Sequence, residues 1–110
     1  MKKLWILLLF LLQIPVSQAQ QVNPIPADFQ LRLQPNPAAH YVQVTFILPS
    51  GTGALDLFNV VGQKVKSTVI INSGGGEISV PMDLNALPRG VYLVRVSHGT
   101  QAAIRRLTVQ

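Results

Sequence analysis

His40-Tyr41-Val42-Gln43-Val44-Thr45-Phe46-Ile47-Leu48 sets Val42, Val44, Phe46 and Leu48 on one side of an extended chain, with Tyr41, Gln43 and Thr45 on the other. A period of two is the mark of a strand with one buried face. Working outward, Gln30-Leu31-Arg32-Leu33-Gln34 alternates in the same way and predicts a first strand. Pro35-Asn36-Pro37 ends it, since proline has no N–H for a ladder and restrains the residue before it to extended backbone. On the other side, Pro49-Ser50-Gly51-Thr52-Gly53 reads as a turn cluster, followed by a strand over Leu55–Asn59.

Asn59-Val60-Val61-Gly62 reads as a tight hairpin turn in which Gly62 supplies a positive φ. Val65, Ser67, Val69 and Ile71 continue the return strand, and Asn72-Ser73-Gly74-Gly75-Gly76 is a flexible tip. Ile78, Val80 and Met82 share one face of the next strand, and Leu84 and Leu87 follow in a loop expected to tuck under the sheets. Pro88-Arg89-Gly90 turns the chain into Val91–Val96, His98-Gly99-Thr100 turns it again, and Ala103–Val109 is a last strand. Seven strands separated by turn signals, with no helical period, predict an all-β fold: a seven-stranded antiparallel Greek-key, immunoglobulin-like β-sandwich. Thr68–Ile71 and Val91–Val96 are nearly continuous apolar runs, which suit either central strands covered on both sides or an exposed docking face.

The N-terminus has a different character. Lys2 and Lys3 precede the apolar run Leu4–Leu12, and Ser17-Gln18-Ala19 supplies small residues at the positions a signal peptidase reads. We expect a signal peptide over residues 1–19, cleaved between Ala19 and Gln20, since Gln13, Pro15, Ser17 and Gln18 break the run short of the roughly 20 apolar residues of a membrane span. The expected organisation is the signal at 1–19, a short Pro-containing linker at 20–28 and a single domain at 29–110, with no transmembrane span once the signal is removed. Removal leaves 91 of the 110 residues, takes away the only tryptophan, Trp5, and lowers the net charge from +5 to +3.

That remainder excludes several classes of function. Seven cations spread along the chain, with only Arg105 and Arg106 adjacent, do not make a nucleic-acid footprint. The chain has no cysteine, so a disulfide framework, a thiol nucleophile and a zinc–thiolate site are all excluded. His40, His98, Asp28, Asp56, Glu77 and Asp83 are scattered and supply no nucleophile–base–orienter set and no clustered carboxylates for a metal. Gly74-Gly75-Gly76 is not followed by the Lys-Ser/Thr and helix of a phosphate loop. No catalytic residue, cofactor or metal is expected.

Four segments in order are more specific than composition. They are Pro35-Asn36-Pro37-Ala38; the hairpin from Leu55 through Asn59, Gly62 and Val65; Leu84–Val94 with Leu87, Gly90, Val91 and Tyr92; and the terminal Ile104-Arg105-Arg106-Leu107-Thr108-Val109. Together they resemble the C-terminal sorting domain of the type IX secretion system of Bacteroidetes-type bacteria, over about residues 29–110. The resemblance implies passage of the inner membrane by the signal peptide and recognition of the folded domain by the outer-membrane type IX machinery. It also implies delivery to the cell surface or medium, and in some cases removal of the domain by a sortase-like peptidase. Locally, the prolines stiffen the entry to the first strand, Gly62 closes a hairpin and Gly90 gives the bend that lets Tyr92 enter the core. The terminal strand, with Arg105, Arg106, Leu107 and Val109, is the candidate for translocon recognition, because an edge strand can add to a partner sheet or present charge. The family's domain normally trails a large cargo, whereas here only eight to ten residues separate Ala19 from the first strand. The expectation is therefore a free-standing sorting-type domain. A small secreted adhesive or ligand-binding sandwich, or a remnant of a cargo protein, are the alternatives.

Overall fold

The computed structural model describes residues 28–110, so the expected signal peptide, its cleavage site at Ala19 and Gln20, and the lead up to Ala27 lie outside the described residues. Seven strands follow in order: β1 (Arg32–Gln34), β2 (Tyr41–Leu48), β3 (Gly51–Asn59), β4 (Lys64–Asn72), β5 (Gly76–Asp83), β6 (Gly90–His98) and β7 (Gln101–Val109). They form two sheets, β1-β2-β5 and β4-β3-β6-β7, in which every strand pair is antiparallel. No described residue is helical. The immunoglobulin-like sandwich expected from the alternation is the observed fold.

The core is the sum of the inward faces. From β2 come Val42, Val44, Phe46 and Leu48, and these meet Leu55 and Leu57 of β3, Tyr92, Val94 and Val96 of β6, and Leu107 and Val109 of β7. Met82 is buried while Ile78 and Val80 pack half-buried against the same cluster. Leu84 closes the bottom, its N–H donating to the His40 carbonyl at 2.9 Å, and Leu87 leans on the core behind it. The loop after β5 is thus the plug that two leucines in a polar stretch foretold.

Several strands run a residue or two past their expected ends, β6 to His98 and β7 from Gln101 among them, and three further differences bear on the fold. The first strand begins at Arg32 rather than Gln30, because Phe29 and Gln30 take positive φ (53° and 50°) in a turn. There the Asp28 carboxylate accepts the Gln30 N–H at 2.9 Å and the Asp28 carbonyl accepts the Leu31 N–H at 3.0 Å, a local alternative to the ladder. That turn drops Phe29 into the core. The expected turn at Pro49–Gly53 shrinks to Pro49 and Ser50, and β3 starts at Gly51, where pairing with Asn72 extends the ladder through two glycines. Finally, β4 is an edge strand rather than a central one. Only Ile70 of its apolar run is buried, while Val69 and Ile71 point away from the core.

Candidate functional site: the motif-bearing end of the sandwich

Asn59 is the last residue of β3, and its side chain organises the loop that follows. Its Oδ1 accepts the N–H groups of Val61 (3.1 Å) and Gln63 (2.9 Å), and its Nδ2 donates to Gln63 Oε1 at 2.8 Å. Backbone bonds from Asn59 N–H to the Gln63 carbonyl (2.9 Å) and from Gly62 N–H to the Asn59 carbonyl (3.0 Å) close the loop. Gly62 sits at φ 87°, a conformation that side-chain-bearing residues adopt only with strain. The loop is held by Asn59, Gly62 and Gln63, and the Val60 and Val61 side chains face water at 73% and 75% exposure.

Directly across β3 from Asn59 lies Tyr92 of β6. Its ring is buried and its hydroxyl donates to the Pro88 carbonyl four residues upstream, the tyrosine corner of immunoglobulin-like sandwiches. The corner holds Pro88-Arg89-Gly90 in a fixed arc. Gly90 has φ 148°, with open space around its α-carbon, so backbone conformation rather than crowding demands glycine there. Between the hairpin and this arc runs a depression of about 390 Å³, walled by Val60, Val65, Leu87, Pro88, Arg89 and Val91, with Asn59, Gly90 and Tyr92 completing it. Lys64 stands beside it, its Nζ 5.9 Å from the centre of the Phe58 ring and 3.8 Å from the Asp56 carboxylate. Asp56 is 5% exposed and also accepts the Ser67 hydroxyl at 2.6 Å.

The other motifs arrive at the same end. Gly90 pairs with Val109, so β7 finishes beside the start of β6. Asn36 then caps β7 from outside: its Nδ2 donates to the Arg106 carbonyl at 2.9 Å and its Oδ1 accepts the Thr108 N–H at 3.1 Å. Ala38 continues the seal, its N–H donating to the Thr108 carbonyl and its carbonyl accepting the Gln110 N–H, both at 2.8 Å. Pro35 and Pro37, each after a cis peptide bond, flank the asparagine that makes these contacts. Asn36 thus serves as a piece of strand made from a side chain. Nothing in the alternation of the sequence points to it; the only sign is an asparagine placed where the prolines have already ended the ladder.

The four residues of the terminal strand fall into different environments. Leu107 and Val109 are core residues. Arg105 reaches across the open side of the sandwich, its Nε donating to the Leu31 carbonyl at 3.2 Å and its guanidinium lying 3.5 Å from Asp28. Arg106 lies on the outer face of the four-stranded sheet opposite Leu93, and among the described residues its side chain has no hydrogen-bonding or ionic partner. The exposed side chains of this end include Val60, Val61, Val65, Arg89, Val91 and Arg106.

A family model described as the secretion system C-terminal sorting domain matches residues 32–110, which takes in all seven strands and all four motif segments. The chain belongs to this family. Its sorting domain is of the type IX kind, and membership implies interaction with the type IX secretion machinery and export to the cell surface or medium. No curated protein matches the chain. In this sorting domain the four motif segments, scattered from Pro35 to Val109, are neighbours at one end of the sandwich. Most of their residues build that end, and a few face outward from it.

Proposed function

We propose that the outer-membrane translocon of the type IX system reads this domain, already folded, at its motif-bearing end, and carries the chain to the surface or medium. A signal peptide ending at Ala19 first takes it through the inner membrane into the periplasm. The observation that supports this reading is the convergence of all four motif segments on one end, where the hairpin and the Pro88–Gly90 arc line an apolar depression that includes Arg89 and the exposed Val60, and where Asn36 and Ala38 close on β7. Arg106, on the outer face near the same end, adds a cation that nothing among the described residues neutralises. The role is recognition rather than catalysis. His40 is held by Asn85, its Nδ1 2.9 Å from the amide oxygen, in a contact that fixes the plug loop. If a sortase-like peptidase acts on the chain, its cut falls ahead of Phe29, because from there on the backbone is committed to the core.

The test is a fusion of residues 20–110 behind a periplasmic reporter in a bacterium that has the machinery. Export is expected in wild-type cells and not in machinery-deficient ones. A reporter that stays in the periplasm of both strains would sink the reading. Val60→Asp with Val61→Asp, and separately Arg106→Glu, should block export while leaving a folded, protease-resistant domain.

A further inference from the structure

The two outer faces of the sandwich are unlike. On β1-β2-β5 the outward side chains bond one another: Arg32 pairs with Glu77 at 3.3 Å, and Gln43 and Thr45 both meet the Ser79 hydroxyl. On β4-β3-β6-β7 the outward side chains include Val65, Val69, Ile71, Val91, Leu93 and Ile104, all exposed. The four sheet edges are unlike too. β7 is sealed at its end by Asn36 and Ala38; β1 has three residues and is bridged by Arg105; β5 carries Glu77, Pro81 and Asp83. Charges, proline, shortness and cover are the devices that keep strand edges from pairing.

β4 has none of these from Ser67 to Asn72. Its sequence there is Ser-Thr-Val-Ile-Ile-Asn, uncharged and regular in register against β3, the one irregularity lying further back at Leu57/Phe58. Thr108 turns its backbone groups away from β6, and the alternation of an antiparallel ladder carried from there across β6 and β3 leaves the N–H and C=O groups of Ser67, Val69 and Ile71 on the open edge. Among the described residues nothing pairs with them.

We propose that β4 is a self-association edge: two copies of the chain pair antiparallel through β4 about a twofold axis at Val69, joining two four-stranded sheets into one of eight. Charge placement favours a second copy as occupant. About that axis Val69 meets its own counterpart and Ser67 meets Ile71. Lys66 meets Asn72 rather than another lysine, so no like charges face each other. The pairing satisfies the open row of backbone groups and runs the apolar outer strip of one sheet into that of the other. It is independent of export. A strand-to-strand contact is at the small end of interface sizes, so the association is concentration-dependent.

The absence of native cysteine makes the test direct. The purified protein should show a monomer–dimer equilibrium by sedimentation, and Val69→Lys, which sets two cations against each other at an exposed position, should shift it to monomer while leaving the melting temperature unchanged at concentrations where both proteins are monomeric. Val69→Cys should form a disulfide-linked dimer on mild oxidation, since paired α-carbons about 5.5 Å apart suit a disulfide. Ile71→Cys should not, because its counterpart lies about 14 Å away along the strand. A protein that stays monomeric up to about 1 mM, beyond the range of specific association, overturns the proposal. So does a dimer that V69K leaves intact, or equal cross-linking of the two cysteine variants.

Discussion

Tyr92 fills part of the core with its ring and pins the Pro88–Gly90 arc with its hydroxyl. Tyr92→Phe keeps the first role and removes the second, leaving the Pro88 carbonyl without that donor. The expected loss is about 1–2 kcal/mol in urea unfolding, the usual worth of a side-chain hydrogen bond to a partly buried partner. Asn36 is more demanding, because one amide serves a donor and an acceptor on β7 at once. Asn36→Ala should cost about 1–3 kcal/mol, and Asn36→Asp at least as much, since a carboxylate cannot donate to the Arg106 carbonyl. Both effects are read as a lower denaturation midpoint at unchanged slope. Val60→Ser with Val61→Ser should change stability by no more than about 0.5 kcal/mol, as exposed residues outside any special feature do. A larger loss in melting experiments would mean that these valines pack rather than present themselves.

At the scale of elements, the terminal strand separates two meanings of importance. Deleting Arg105–Gln110 removes Leu107 and Val109 from the core and the partner of Asn36, so the truncated chain should lose its cooperative unfolding transition altogether. A failure of that variant to be exported carries no information about recognition; Arg106→Glu, which leaves the strand in place, does. The alternation made most strands legible, β2 above all, because a half-buried strand writes its two faces into every second residue. It could not say which sheet a strand joins or whether an edge is covered. Val69 and Ile71 have the same composition in a central strand as in an edge strand, and only the pairing of β3 with both β4 and β6 decides between them. The Phe29-Gln30 turn was hidden for another reason: the residues that hold it, Asp28 and its own backbone, break an alternation that would otherwise run on. The site was legible as motifs but not as a place, since Asn36 and Thr108 are 72 residues apart and meet only through the fold.

For the whole molecule, a single apolar core without disulfides carries the stability, so large truncations inside it should be felt globally. Phe46, fully buried between the sheets, is the sharpest probe: Phe46→Ala should cost about 3–5 kcal/mol, a large part of the roughly 5–15 kcal/mol available to a domain of this kind. Calorimetry should show the melting temperature falling steeply while the transition stays single. The same economy explains the contrast between the outer faces. With the core alone holding the fold, the exposed apolar residues on the outer face of the four-stranded sheet add little to stability.

The clasp of Asn36 and Ala38 on Arg106, Thr108 and Gln110 also has a bearing on timing. A chain emerging from a ribosome carries the first half of that clasp 70 to 72 residues ahead of the second. Until residues 106–110 are out, the motif-bearing end has no β7 to complete it. Chains cut short anywhere before Arg106 would therefore carry Asn36 and Ala38 with nothing to close on, so that the clasp ties completion of this end of the sandwich to synthesis of β7.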